Sequence, residues 1–326
     1  MKKTVETDNL LRMRLENWLR AALIILGLLM VLGLIGWIIA GGTGVLWALV
    51  LACLMVAFSR RLPARTLLGM QGAGLLRRRQ APVLYAMLDV LYRRAGIRCP
   101  PALFYVPSVQ LNAFAVGDTR DGGIAVTDGL LRRLDRRELT GVLAHEVSHL
   151  RHNDTWVMSM AAMVTELTVL AATAGQLMLL AMLPWIAAGE LQVPVATIAL
   201  LIFAPTFSTL LQLSLSRNRE FAADMEAAAL TGDPGGLASA LATLERYQGS
   251  WLESLFGYRR PTRLRWLHTH PPTGERIARL AALQPTATAG HPGLWRTIPD
   301  ERTIPVETPA PLGHRLLLRR RLRSMR

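Results

Sequence analysis

Two cysteines, at positions 53 and 99, are all that the 326 residues offer, so no disulfide framework holds this chain and a reducing compartment suits it. Neither has a histidine or a second cysteine near it at metal-binding spacing, which excludes a thiolate metal site. Lysine is confined to positions 2 and 3, and arginine supplies the rest of the 37 basic residues. The net charge of +14 is spread along the chain rather than gathered in a stripe, which argues against nucleic acid and for attraction to a membrane surface. Charge itself is scarce at 18%, against 51% hydrophobic residues, a balance foreign to most soluble enzymes.

The longest gap in charge runs from Arg20 to Arg60. As helix it would extend about 58 Å, close to twice the ~30 Å hydrocarbon layer. Gly41, Gly42, Thr43 and Gly44 mark the bend between helices expected near 21–40 and 45–59. A second apolar region, from Trp156 to Ser216, is interrupted by Glu166, Gln176 and Glu190, and Pro184 and Pro194 bracket a turn, so it reads as a second hairpin. Lys2, Lys3, Arg12, Arg14 and Arg20 precede the first hairpin, while Arg60, Arg61, Arg65 and Arg77 to Arg79 follow it. The turns carry no basic residue, so the positive-inside rule puts the ends of both hairpins on the cytoplasmic side.

Between the hairpins, Val83, Leu84, Met87, Leu88 and Leu91 set a helical period over 82–95 that stops at Gly96. Leu103 to Val106 and Ile124 to Thr127, bounded by prolines and glycines, read as strands, with Asn112 to Val116 as an exposed strand between them. Asp135 followed by Glu138 has the form of a capping box and should start a helix that carries Leu139, Val142, Leu143, His145, Glu146 and His149. Further helices are expected at Arg217–Leu230, at 236–248 and at 273–283, with 284–311 unstructured for its proline and threonine content.

His145-Glu146-Val147-Ser148-His149 places two imidazoles one turn apart on one helical face, where both can bind one cation. With 7 histidines in the chain this spacing around a glutamate is a rare coincidence. Zinc suits neutral imidazole and carboxylate ligands, and Glu146 beside it can accept a proton from an attacking water. Glu220 is the candidate third ligand. Asp224, one turn later on the same face, can hold the outer nitrogen of a ligating histidine, whereas Glu226 falls off that face.

Leu111-Asn112-Ala113-Phe114-Ala115, Ala144 to His149, Ser216 to Asp224, and Thr269-His270-Pro271-Pro272 with Arg276 and Ile277 follow in this order, and the pattern over residues 20–283 resembles the HtpX-like membrane metalloproteases, related to the CAAX prenyl endoproteases. The resemblance implies a mainly α integral membrane protein, in which a zincin-like metalloprotease domain with a small β-sheet is inserted between and after two transmembrane hairpins. It implies one zinc per chain on His145, His149 and Glu220, with Glu146 catalytic, and Asn112, Ala113, Phe114 and Ala115 bordering the substrate cleft. His270 and Arg276 become candidates for stabilising the tetrahedral oxyanion. The expected organisation is a cytosolic segment 1–20, a hairpin 21–59, a first protease part 60–155, a second hairpin 156–216, a second protease part 217–284 and a basic tail 285–326.

The role it implies is cutting damaged membrane proteins at the cytosolic face of a bacterial inner membrane, with polypeptides and the lipid bilayer as partners and no nucleic acid. A prenyl-protein endopeptidase is the alternative enzyme, and an inactive membrane scaffold the alternative of another class. The first is disfavoured by the short pair of N-terminal spans, the second because every expected catalytic position is filled. The tail departs from the family pattern: Arg315, Arg319 to Arg321, Arg323 and Arg326 around Leu316 to Leu318 and Leu322 could lie on anionic lipid, with a disordered, solvated basic tail over 285–326 as the equal alternative.

Overall fold

The structure, a computed structural model, describes residues 2–59, 66, 68–69, 72–99, 101–249 and 273–287. His270 and the tail beyond residue 287 lie outside the described residues. The chain divides into two compact units, one formed by residues 1–61 and 157–218, the other by 62–156 and 219–326.

The first unit is helical. Helix α1 spans Lys2–Ser59 and loses helical geometry only at Ala40 and Gly41. Gly41 takes φ 60°, a conformation open to glycine at little cost, and this makes the turn the sequence called for. Gly36 and Gly44 let the two arms touch, since a Cβ on Gly44 would lie 1.9 Å from the Gly36 carbonyl oxygen. The second apolar region gives α5, Asp154–Ala181, the short α6, Leu183–Ala187, and α7, Val195–Thr231. Ile35, Ala172, Leu201 and Ala204 form a small core in this unit. The Gln176 amide donates to the Leu201 carbonyl at 2.7 Å, as suits a polar side chain in an apolar bundle. Leu23, Met30, Trp37, Trp47, Leu170 and Phe203 point outward and stay mostly exposed. Helices Trp18–Ala57, Asp154–Ala181 and Val195–Thr231 are each long and apolar enough to cross a bilayer. Lipid, where exposed apolar side chains carry no penalty, is the solvent such a surface requires.

One expectation changes here. Residues 217–230, read as a helix of their own, are the continuation of α7. No glycine, proline or cap interrupts Ser208 to Leu230, so the helix has no reason to end before Gly232.

The second unit packs helices on a four-stranded sheet. Its strands are β1 (Gly74–Leu75), β2 (Ala102–Val106), β3 (Ala113–Val116) and β4 (Gly123–Thr127), in the order β1-β2-β4-β3. β2 and β4 run parallel and the outer pairs antiparallel, leaving β3 as a half-buried edge bonded within the sheet only to β4. Helix α2, Pro82–Ala95, starts on proline and ends on Gly96 in the left-handed conformation, as the period implied. After the short α3, Asp128–Arg133, helix α4 spans Arg136–His152. Its capping box is made: Asp135 accepts from the Glu138 N–H at 2.8 Å, and Glu138 from the Asp135 N–H at 3.2 Å.

Leu88 and Leu91 of α2, Leu103 and Ile124 of the sheet, and Leu139, Leu143 and Val147 of α4 share one core with Leu237 of α8, Pro234–Gly249, and Leu280 of α9, Thr273–Ala287. Gly141 matters because α8 presses against α4 there, and a Cβ would meet the Leu237 amide nitrogen at 2.8 Å. Helix α9 runs past the boundary expected at 284.

Candidate active site

His145 and His149 lie on the buried face of α4, and their Nε2 atoms stand 3.2 Å apart. Glu220 on α7 reaches both, with Oε2 3.3 Å from His145 Nε2 and Oε1 3.6 Å from His149 Nε2. All three are buried, Glu220 to 1% exposure, and they form a group that could hold a metal ion. The spacing within this group has a chemical meaning. Asp224 Oδ1 lies 3.0 Å from His145 Nδ1, and Asp154 Oδ2 lies 3.2 Å from His149 Nδ1. Each carboxylate thus faces an outer nitrogen as the acceptor for its N–H, which leaves the Nε2 lone pair facing inward. Two such lone pairs and a carboxylate converging at a buried point are suited to a cation among them. A tetrahedral zinc with ligands at 2.0–2.1 Å would put its donor atoms about 3.3 Å apart, close to the three separations found.

Burial works against protonation of both imidazoles, but the adjacent carboxylates outweigh it. His145 is raised by Asp224 and Glu220, and His149 is raised well above its ordinary value by Asp154 and Glu220. Without metal, therefore, both hold protons to higher pH than free imidazole does. Since a metal needs them neutral, loading must expel those protons, and affinity must fall as pH falls. Calorimetry in buffers of different ionisation heat should find protons released as zinc loads, and zinc binding that weakens as pH falls. Loading without proton release would contradict the two-histidine centre.

Glu146, beside His145, is buried, and its charge acts on His149 and Arg276. Arg276, also buried, arrives on α9. Its Nε and Nη2 donate to Asp224 at 2.7 and 2.6 Å, and Nη1 lies 3.1 Å from Glu220 Oε2. Burial works against its charge, yet Asp224 and Glu220 raise its pKa. Its donors are directed at the carboxylates that surround His145. Asn112 exchanges bonds with the Thr127 hydroxyl, which fixes the start of β3, and Ala113, Phe114 and Ala115 continue along that edge beside α4.

Asp154 was not singled out from the sequence. It is the carboxylate that follows Asn153, the left-handed residue ending α4, and it also binds Arg219 Nη1. The need of a ligating histidine for an acceptor on its second nitrogen was the signal available. Glu226, set aside as off the face, is not idle: its carboxylate meets Ser148, Arg151 and His152 of α4.

Residues 78–284 match Peptidase family M48, a stretch holding every residue of this cluster. The chain belongs to that family. It is 36% identical to the protease HtpX homolog of Acidiphilium cryptum over 284 residues, which cover 82% of this chain and 96% of that one. It is 35% identical to the protease HtpX homolog of Pyrococcus furiosus, over 81% of this chain and 94% of that one. A crystal structure of S. mikatae Ste24p shares 18% identity at a TM-score of 0.46, over 86% of this chain and 67% of that one. The M48 chain is a membrane metalloprotease of the HtpX type, with the His145, His149 and Glu220 triad as its metal-binding geometry.

Proposed function

We propose that this M48 protease binds one zinc ion per chain and hydrolyses peptide bonds of misfolded or damaged membrane proteins at the cytosolic face of a bacterial inner membrane. The observation that carries the reading is the convergence of two Nε2 atoms and the Glu220 carboxylate within 3.2 to 3.6 Å, each imidazole backed by its own carboxylate. Bound there, zinc would polarise a peptide carbonyl and lower the pKa of a water to about 7.

The chain's own groups do the rest. Glu146 takes the proton of the attacking water and returns it to the departing amine. Asp224 and Asp154 keep the histidines in the tautomer that ligates. The substrate lies along the edge from Asn112 to Ala115 as an added strand, since among the described residues β3 bonds within the sheet to β4 alone. His270 and Arg276 are assigned to the oxyanion of the tetrahedral intermediate, a role Arg276 could fill from beside Glu220.

Casein hydrolysis by the detergent-purified protein tests the reading. A chelator such as phenanthroline should abolish cleavage and added zinc restore it. Cleavage that survives complete zinc removal would refute the metal-dependent mechanism.

The orientation is tested separately. A reporter fused after residue 42 should behave as external, and reporters after 80 and 284 as cytoplasmic, because basic residues flank only the inner ends. An external reporter at 80 would reverse it.

A further inference from the structure

Glu226 is held unlike an ordinary surface carboxylate. Its side chain is 13% exposed and belongs to α7, the helix that carries Glu220. Ser148 Oγ donates to it at 2.9 Å, and Arg151 Nη1 and His152 Nε2 bind its two oxygens. Ser148 has no exposure at all, and the side chains of Arg151 and His152 are 34% exposed. Three donors from the last turns of α4 thus close on one acceptor of α7. Exposed ion pairs contribute little because water competes for both partners. Here burial, a hydroxyl, a guanidinium and an imidazole together make the contact specific in geometry.

The position of this contact gives it a use. Two of the metal-binding side chains stand on α4 and the third on α7, so the distance between these helices sets the opening into which a cation must fit. A metal site tolerates errors of about 0.2 Å in ligand distance. Contacts on either side of Glu220 also tie these two helices together. On one side of it, Arg219 binds Asp154, which in turn holds His149. On the other side, the Glu226 contact grips Ser148, next to His149, and the two residues that end α4.

We propose that Glu226 is a positioning residue for the metal centre, clamping the end of α4 to α7 so that Glu220 stays in register with His145 and His149. The inference rests on the reading of those three side chains as zinc ligands. Glu226 touches neither metal nor substrate, so its loss should loosen the centre and leave substrate binding alone.

The test is zinc affinity, read by competition with a chromophoric chelator, beside the visible spectrum of the cobalt-loaded protein, which reports coordination geometry. Glu226→Gln keeps size and removes charge. It should weaken zinc by about 10-fold, at the lower end for groups that orient ligands from behind. It should also weaken or shift the cobalt bands and lower kcat with KM within about twofold, since the metal acts on the transition state and Glu226 touches no substrate.

Arg151→Met, on a partly exposed side chain, should weaken zinc about threefold, and the double variant should bind no worse than Glu226→Gln, because both act through one contact. If Glu226→Gln does not fold, Arg151→Met decides alone. Wild-type affinity and an unchanged cobalt spectrum in the variants would overturn the clamp. A wild-type protein that takes up neither zinc nor cobalt would instead overturn the metal reading on which it stands.

Discussion

Replacing Glu146 by Gln should leave zinc bound and remove peptide hydrolysis. The change keeps the volume of a buried side chain and touches none of the three converging ligand atoms, which belong to His145, His149 and Glu220. What it removes is the proposed general base. A positioned general base contributes about 10² to 10⁴ in rate, so a fall of about 10³ in kcat is expected. Metal analysis and a peptidase assay on the same preparation check both halves. Turnover comparable to wild type would remove Glu146 from the mechanism.

Glu220→Gln should have the opposite signature, with zinc and activity lost together. A neutral amide is a poor zinc ligand and brings an N–H₂ group toward two nitrogen lone pairs. It also leaves Arg276 facing a site that has lost one of its two carboxylates. Zinc affinity should fall by more than about 100-fold, beyond the 10–100-fold typical of residues that only orient ligands. Asp224→Asn belongs to that lesser class, because it accepts from His145 Nδ1 and does not face the metal. Glu226 cannot serve as a silent comparison, given its contacts with α4. Glu245, exposed on α8, can, and Glu245→Gln should leave zinc and turnover unchanged.

Much of this site was legible because its chemistry is written at helical spacing. The interval from His145 to His149 requires a helix, and the Asp135 and Glu138 box says where that helix begins; both are found. The interval from Glu220 to Asp224 again puts two carboxylates on one face, and the structure brings both to His145. Gly96 and Gly41 announced a helix end and a bend, because left-handed backbone there requires glycine.

What stayed hidden has a common cause. β1 has two residues, too few for any period to register. Asp154 sits across a helix break from the histidine it serves, so no spacing rule connects them. Arg219 and Glu226 carry no local sign of a role; their partners, Asp154 and the end of α4, lie far away in sequence. Contacts of that kind come from tertiary packing, which a local pattern does not encode.

The central claim is that His145, His149 and Glu220 form one zinc centre, joined only by the fold. Zinc bound per chain, measured by equilibrium dialysis on wild type, Glu146→Gln and Glu220→Gln side by side, tests it most directly. One zinc per chain is expected in the first two and little in the third at the same free zinc. Full zinc occupancy in Glu220→Gln would contradict it.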